Sequence, residues 1–374
     1  MIDDAFQYQK EKMKKIEELF CSFAEKMKPY SPIEPPDQVA KRLNLNEVDI
    51  IKLDANENPY GTPQIVLDAL AKGKYYHIYP DPAQIQLRES IAKYVGLESE
   101  NIVLGTGADE LIDLLCRLFI NPDDCVLGFV PTFTYYEHVI TLNRGRYIKL
   151  NRNEDFSIDS DQAQKQNLDQ VKMVMLCSPN NPSGNMLDES ILDHFLKQNV
   201  VVIVDEAYFE FSGVSYVNQL KQNDNLVVLR TFSKCFALAG LRVGYAVTSS
   251  KISKMLLKIK PPFSVNVAAE IALKTCIKHF SYFEKQVNQI IETRDQTIAS
   301  LQKFKELTVY PSKSNFILCK VDGIPAQKIK LDLELKGILI RYFDVDLLRN
   351  YIRISVGTPD QMESLIQELS GILS

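Results

Sequence analysis

The chain has 374 residues, of which 45% are hydrophobic and 24% charged; this composition belongs to a globular protein with a large core and excludes disordered, collagenous and disulfide-stapled chains. A single core stops growing at roughly 250–300 residues, so one large domain with a smaller companion is expected. The formal net charge of −5 supplies no overall attraction to nucleic acid.

Met1-Ile2-Asp3-Asp4 carries acid where a secretion signal carries base, and no apolar run approaches the ~20 residues that cross a bilayer. A cytoplasmic protein with no membrane partner is expected. Seven cysteines stand singly, with no two at the interval of a metal or redox pair, which reads as reduced and mostly buried thiols. His77, His138, His194 and His279 lie far apart, so neither a metal site nor a histidine-centred triad is visible.

From Phe6 to Met27 the apolar residues Phe6, Met13, Ile16, Leu19, Phe20, Phe23 and Met27 recur at mostly helical spacing, which predicts one amphipathic helix. Pro29, Pro32, Pro35 and Pro36 then predict an extended connector. After Lys52, short valine-rich runs at 102–104, 126–130, 171–177, 200–205, 226–230 and 243–247 alternate with helical patterns. The runs are nearly continuous, as strands buried on both faces of a parallel sheet must be. Beyond Pro261, helical stretches at 268–278 and 283–303 precede apolar runs at 315–320, 337–341 and 351–356, a pattern of a separate α+β unit. The expected division is an arm and part of the small domain over 1–52, a large α/β domain over 53–260 and a small C-terminal domain over 261–374.

Four segments carry chemistry, each at the end of a predicted strand. Gly105-Thr106-Gly107-Ala108-Asp109-Glu110 opens a helix, where backbone donors and the positive end of the helix favour a phosphate; a plain tight turn is the alternative. Cys177-Ser178-Pro179-Asn180-Asn181-Pro182 sets a carboxamide in a sharp turn. Asp205-Glu206-Ala207-Tyr208 places an acid at a carboxyl strand end, where open α/β sheets bind ligands, or else a solvated aspartate. Arg230-Thr231-Phe232-Ser233-Lys234, followed by Arg242, has the parts of a Schiff-base lysine beside an anion clamp, although a surface lysine would be ordinary in isolation. Burial would depress the lysine's pKa and raise its nucleophilic fraction. Four such segments in one order make coincidence a poor explanation.

In that order they resemble the pyridoxal-phosphate enzymes of the aspartate aminotransferase fold, and among these the histidinol-phosphate aminotransferase family most closely. The resemblance extends from about Pro29 to the C-terminus and includes Asp54-Ala55-Asn56-Glu57-Asn58-Pro59-Tyr60-Gly61, Tyr79-Pro80 and Tyr351-Ile352-Arg353-Ile354-Ser355-Val356-Gly357-Thr358. It implies fold type I, with a mostly parallel central sheet in the large domain, pyridoxal 5'-phosphate as cofactor, and a homodimer whose active sites are shared. By the same resemblance Lys234 forms the Schiff base and moves protons. Asp205 faces the pyridine nitrogen, Asn181 and Tyr208 donate to the ring hydroxyl, and Phe133 stands where the family usually stacks a tyrosine. The cofactor phosphate falls to the Gly107-Ala108-Asp109 turn, Thr231, Ser233 and Arg242, with Tyr79 reaching it from the partner subunit. Tyr30, Asn56, Arg341 and Arg353 match substrate positions.

The activity so implied is amino exchange between L-glutamate/2-oxoglutarate and histidinol phosphate/imidazole acetol phosphate. Its rivals are an aminotransferase of aromatic or other amino acids and a decarboxylase or lyase of the same fold, since all need the same electron sink. A non-catalytic binding protein is the third reading, against which the retention of both Lys234 and Asp205 argues. One departure bears on substrate: Ile33-Glu34 stands where the family often has glycine-lysine, and an acid there would oppose a phosphate if it faced the pocket.

Overall fold

A computed structural model describes residues 15–27 and 33–373. Its strands, in chain order, are β1 (Ile51–Leu53), β2 (Ile102–Gly105), β3 (Cys125–Val130), β4 (Arg146–Asn151), β5 (Val171–Cys177), β6 (Val201–Asp205), β7 (Leu226–Thr231), β8 (Gly244–Thr248), β9 (Leu307–Val309), β10 (Phe316–Val321), β11 (Ile338–Tyr342) and β12 (Tyr351–Ser355). Seven of them form the larger sheet in the order β2-β8-β7-β6-β5-β3-β4. All its pairings are parallel except those of β8, which runs against both neighbours. The other five form a smaller sheet, β1-β11-β12-β10-β9, antiparallel except for β1 with β11. The architecture is α/β with a mostly parallel central sheet, accompanied by a smaller α+β layer.

The near-continuous apolar runs have their reason in this layering. Successive residues of a strand point to opposite faces. Leu127, Phe129, Val174, Leu176, Val202, Val204 and Val228 pack to one side with Ile191, Leu192 and Phe195 of helix Glu189–Leu196. Val126, Met173, Met175, Ile203, Val227 and Leu229 pack to the other with Leu111, Ile112 and Leu115 of helix Gly107–Phe119. Each fully buried aliphatic side chain contributes about 1.5–3 kcal/mol, and a polar residue on either face would forfeit that gain.

Strand β4 is absent from the sequence-based expectation because it is an edge strand. Arg146, Lys149 and Asn151 share it with Tyr147, Ile148 and Leu150, and its residues are half-buried or exposed with none fully buried, so it never forms an apolar run. Strands β1 and β9 have three residues each, too few to display a period.

The N-terminal expectation needs correction. Residues 1–14 of the predicted helix lie outside the described residues. Within 15–27 the helix is not continuous: a 3-10 turn, Ile16–Leu19, and a short helix, Ser22–Lys26, are separated by Phe20 and Cys21 in extended conformation. Ile16, Leu19 and Phe20 are exposed, and a short segment without a buried apolar face lacks what holds most protein helices. Phe23 touches the body through Arg144, whose guanidinium carbon lies 5.4 Å from the ring centroid. Pro36 is not part of a connector either; it opens helix Pro36–Leu43, where its missing N–H costs nothing.

The chain runs from β3 outward to β4 and then returns to β5 on the other side of β3. Ligands of open α/β sheets bind at such reversals, outside the carboxyl strand ends.

Candidate active site

A cavity lies at that place, lined by Thr132 and Phe133 after β3, by Cys177, Asp205 and Thr231 at the last positions of β5, β6 and β7, and by Asn181, Tyr208, Ser233 and Lys234 just beyond those strands. Asn56, Arg341, Phe343 and Arg353 close it from the smaller sheet's side, while Ala108, Asp109 and Arg242 also line it. Asn56 joins two of the sequence motifs. Its backbone N–H donates to Ser355 Oγ at 2.8 Å, and Asn315 Nδ2 donates to its carbonyl at 3.0 Å.

Lys234 sits on a turn held by aromatic packing, with Phe232 and Phe236 stacked at 4.5 Å. Its Nζ donates to the Ala55 carbonyl at 2.9 Å and lies 5.9 Å from the centroid of the Tyr208 ring. Burial, and then the nearby positive charge of Arg353, lower its pKa to about 8. At pH 7 about one molecule in ten therefore carries the free amine, far more than for an exposed lysine.

The Asp205 carboxylate is buried and held at both oxygens. Tyr136 donates to Oδ2 at 2.6 Å and the Ala207 N–H to Oδ1 at 3.0 Å. Burial raises its pKa to about 6, against the lowering effect of these two bonds. Tyr208 accepts from Asn56 Nδ2 at 3.0 Å and Asn181 Nδ2 at 3.4 Å, which leaves its own hydrogen for another acceptor.

Ala108 and Asp109 lie in the first turn of helix Gly107–Phe119, whose N–H groups lack helical partners. Gly107 does not line the cavity; it makes room for Arg242. Its φ is +76°, and a Cβ there would lie 2.5 Å from Arg242 Nη2. A Cβ on Gly244 would stand 2.6 Å from the Ala108 nitrogen, so both glycines permit the close approach. Ser233 N–H donates to Thr231 Oγ1 at 3.1 Å, and Arg242 Nη2 donates to Asp109 Oδ2 at 2.8 Å.

On the smaller sheet's side Arg353 Nη1 donates to Asn181 Oδ1 at 2.7 Å and Nη2 to the Asp54 carbonyl at 2.5 Å. Arg341 stands directly opposite Arg353 in the β11 and β12 register.

Tyr30 lies outside the described residues. Tyr79 is 78% exposed and stacks on Phe263 at 4.6 Å, without lining this chain's cavity. Ile33 lines the cavity but Glu34 does not: its carboxylate turns to Arg42 at 2.7 Å, which also meets Glu334. Glu34 lines the adjoining cavity together with Ile33 and Arg341 and shares Arg42 with Glu334, so its charge is offset only in part. Tyr136 is the residue that sequence reasoning missed. It falls on the apolar face of its helix, where an aromatic reads as core, and no spacing marks its hydroxyl.

The chain matches the profile of the aminotransferase class I and II family over residues 48–369. The chain belongs to that family. Relatives of this aminotransferase include the chloroplastic histidinol-phosphate aminotransferase of Nicotiana plumbaginifolia, 44% identical over 91% of this chain and 84% of the relative. The histidinol-phosphate aminotransferase of Dehalococcoides mccartyi strain CBDB1 is 42% identical over 91% of this chain and 94% of its own. Among solved structures, the histidinol-phosphate aminotransferase from Clostridium acetobutylicum superposes with a TM-score of 0.81 at 29% identity, covering 86% of this chain and 99% of that one. The Sinorhizobium meliloti enzyme, solved with pyridoxal-5'-phosphate, is 23% identical with a TM-score of 0.84 over 95% of this chain and 97% of its own; it shares the fold.

The aminotransferase is a pyridoxal-phosphate enzyme acting on a small amino donor and keto acceptor, and its cavity is chemically matched to that cofactor. A buried carboxylate that forms no ion pair among the described residues suits a pyridinium, a depressed lysine suits an aldehyde, and a helix start with two hydroxyls and Arg242 suits a phosphate. No helix among the described residues is long and apolar enough to cross a membrane.

Proposed function

We propose that the chain exchanges an amino group between L-glutamate/2-oxoglutarate and histidinol phosphate/imidazole acetol phosphate. The observation that carries this reading is the arginine pair: Arg341 and Arg353 oppose each other across β11 and β12, and both line the cavity. A planar guanidinium grips a carboxylate or a phosphate equally well, so one group serves both half-reactions. The relatives at 42–44% identity bear the name of that reaction.

Bound in the cavity, pyridoxal phosphate supplies an aldehyde for amines and a ring that accepts electrons. Lys234 Nζ would be the amine for that aldehyde and, as a free amine, would take the proton from the substrate's amine-bearing carbon. Asp205 would favour the protonated form of the ring nitrogen, Phe133 would offer an aromatic face to the ring, and Asn181 and Tyr208 would bond the ring oxygen. Ala108, Asp109, Thr231, Ser233 and Arg242 hold the cofactor phosphate, with Gly107 keeping the turn open. Asn56 and Tyr30 complete the substrate end.

The test is half-reaction kinetics with histidinol phosphate, histidinol, phenylalanine and arginine as amino donors. Histidinol phosphate is expected to lead in kcat/KM by tenfold or more, the scale of one charge-assisted contact. A non-phosphorylated donor ahead by the same margin would refute the substrate and leave the cofactor chemistry standing.

We further propose a homodimer with shared sites, in the cytoplasm, divided into domains at 1–52, 53–260 and 261–374. Tyr75, Tyr76, Ile78, Tyr79 and Phe263 expose apolar surface that a second copy would cover, and all seven cysteines are free thiols, as a reducing compartment requires. Tyr79→Ala and Lys234→Ala chains, each inactive alone, should regain activity on mixing through hybrid dimers. No recovery despite proven subunit exchange would exclude the shared site.

A further inference from the structure

We propose that Tyr136 is a positioning residue for Asp205, holding that carboxylate in the orientation and the ionised form that a protonated ring nitrogen needs. The inference rests on the reading of Asp205 as the partner of the cofactor's pyridine nitrogen. It starts from geometry. Tyr136 lies on helix Tyr135–Leu142 and is fully buried, and its hydroxyl donates to Asp205 Oδ2 at 2.6 Å. The Ala207 N–H takes the other oxygen, so the carboxylate is fixed at two points. Phe133, just before the same helix, sets its ring edge-on to Tyr136 at 5.5 Å. One helix start therefore supplies the ring-facing aromatic and the brace beneath the carboxylate.

Tyr136 has one hydroxyl hydrogen, and it is spent on Asp205. The other titratable groups facing Asp205 offer no such help. Cys177, its neighbour across β5 and β6, stays a protonated thiol, pushed up to about 12 by burial, and it donates to the Pro179 carbonyl at 3.4 Å and contacts the Tyr136 hydroxyl rather than Asp205. Tyr208 is raised above the ordinary phenol range by burial. Asp109 and Glu206 are carboxylates whose charges oppose ionisation of Asp205; each already has an arginine of its own, Arg242 and Arg230, both at 2.8–2.9 Å. Desolvation raises a buried carboxyl, and a donated hydrogen bond is the opposing force. Without the Tyr136 hydroxyl, Asp205 would hold its proton to higher pH and lose its orientation at Oδ2.

The experiment titrates cofactor-free protein with pyridoxal phosphate between pH 5 and 9, for the natural chain, Tyr136→Phe, Asp205→Asn and the double variant. Phenylalanine keeps the buried ring and removes only the hydroxyl. Tyr136→Phe is expected to weaken binding about 10- to 100-fold, the scale of a hydrogen bond to a charged group. The affinity of the natural chain should fall as pH drops through about 6, where Asp205 takes up its proton. In Tyr136→Phe that midpoint should move upward by about one unit or more. In the Asp205→Asn background the same substitution should change affinity by less than about threefold, because a neutral amide does not need the charge-stabilising donor. With ring-labelled cofactor, the 15N resonance should shift toward the unprotonated form in Tyr136→Phe. An equal loss in both backgrounds, or an unmoved midpoint and 15N signal, would overturn the proposal. Failure of the natural chain to bind pyridoxal phosphate would overturn the site reading and this inference with it.

Discussion

Replacing Lys234 with alanine is expected to abolish transamination, with a loss on the order of 10⁴-fold or more, because the same amine is proposed to engage the cofactor and to move the substrate's proton. Borohydride reduction of the natural protein followed by peptide mapping should place the label on Lys234, and a label on another lysine would remove the assignment. The same side chain should lower the stability of the cofactor-free protein. Its pKa is about 8 in the folded chain against an ordinary value of 10.5, so between these values the unfolded chain binds more protons, and stability rises with pH across that window. Below pH 8 the full penalty of the buried ammonium applies. Cofactor-free Lys234→Met, which keeps the packing and removes the charge, should therefore melt above the cofactor-free natural protein at pH 7, with a gap that closes as pH rises toward 10. A gap that stays constant with pH would assign the effect to packing.

Arg353→Ala is expected to impair both half-reactions by about 10- to 150-fold in kcat/KM, the cost of losing a charge-assisted contact in a desolvated site. Its guanidinium is aimed by Asn181 Oδ1 and the Asp54 carbonyl and lies 5.4 Å and 5.6 Å from the rings of Phe316 and Phe343. Those contacts fix its plane before a substrate arrives, so little entropy is lost on binding. Removal also strips a donor from Asn181, which is proposed to hold the cofactor, so binding of pyridoxal phosphate should weaken as well. Arg341→Ala should act differently. Its loss should penalise histidinol phosphate more than glutamate, because a phosphate gains more than a carboxylate from a second fixed positive charge. Equal losses for the two substrates in Arg341→Ala would mean that Arg341 does not distinguish them. Arg353→Lys should recover only part of the activity, since an ammonium cannot reproduce the planar fork.

Much of the large sheet was legible in the sequence because burial on both faces leaves a valine-rich run that survives without context. The run at 171–177 coincides with β5, those at 102–104 and 226–230 differ from their strands by one residue at an end, and that at 243–247 is shifted by one residue. Edge strand β4 and the three-residue strands β1 and β9 had no such signature. In the N-terminal segment the periodicity is real, but within the described residues Ile16, Leu19 and Phe20 are exposed, so no buried apolar face holds a continuous helix there. The family was legible in the ordered motifs around Asn56, Ala108, Asn181, Asp205, Lys234 and Arg353, because each needs a particular residue type, at or near a strand end for all but Arg353, which lies within β12.

What the sequence by itself determined is therefore the chemistry available at each strand end: an amine, an acid, a carboxamide, hydroxyls and arginines, in a fixed order along the chain. What only the tertiary structure decided is which of these groups meet and which charges are already satisfied. Asn56 and Ser355 are far apart in sequence, yet the smaller sheet brings them into contact. Glu34 reads as an unopposed charge until Arg42 is seen beside it. Tyr136 reads as core until its hydroxyl is found on Asp205. In each case the deciding quantity is a distance of 2.6–2.8 Å between groups on separate elements. Such distances follow from the layers of the fold, because periodicity specifies which face a side chain occupies but not what the opposing element presents to it.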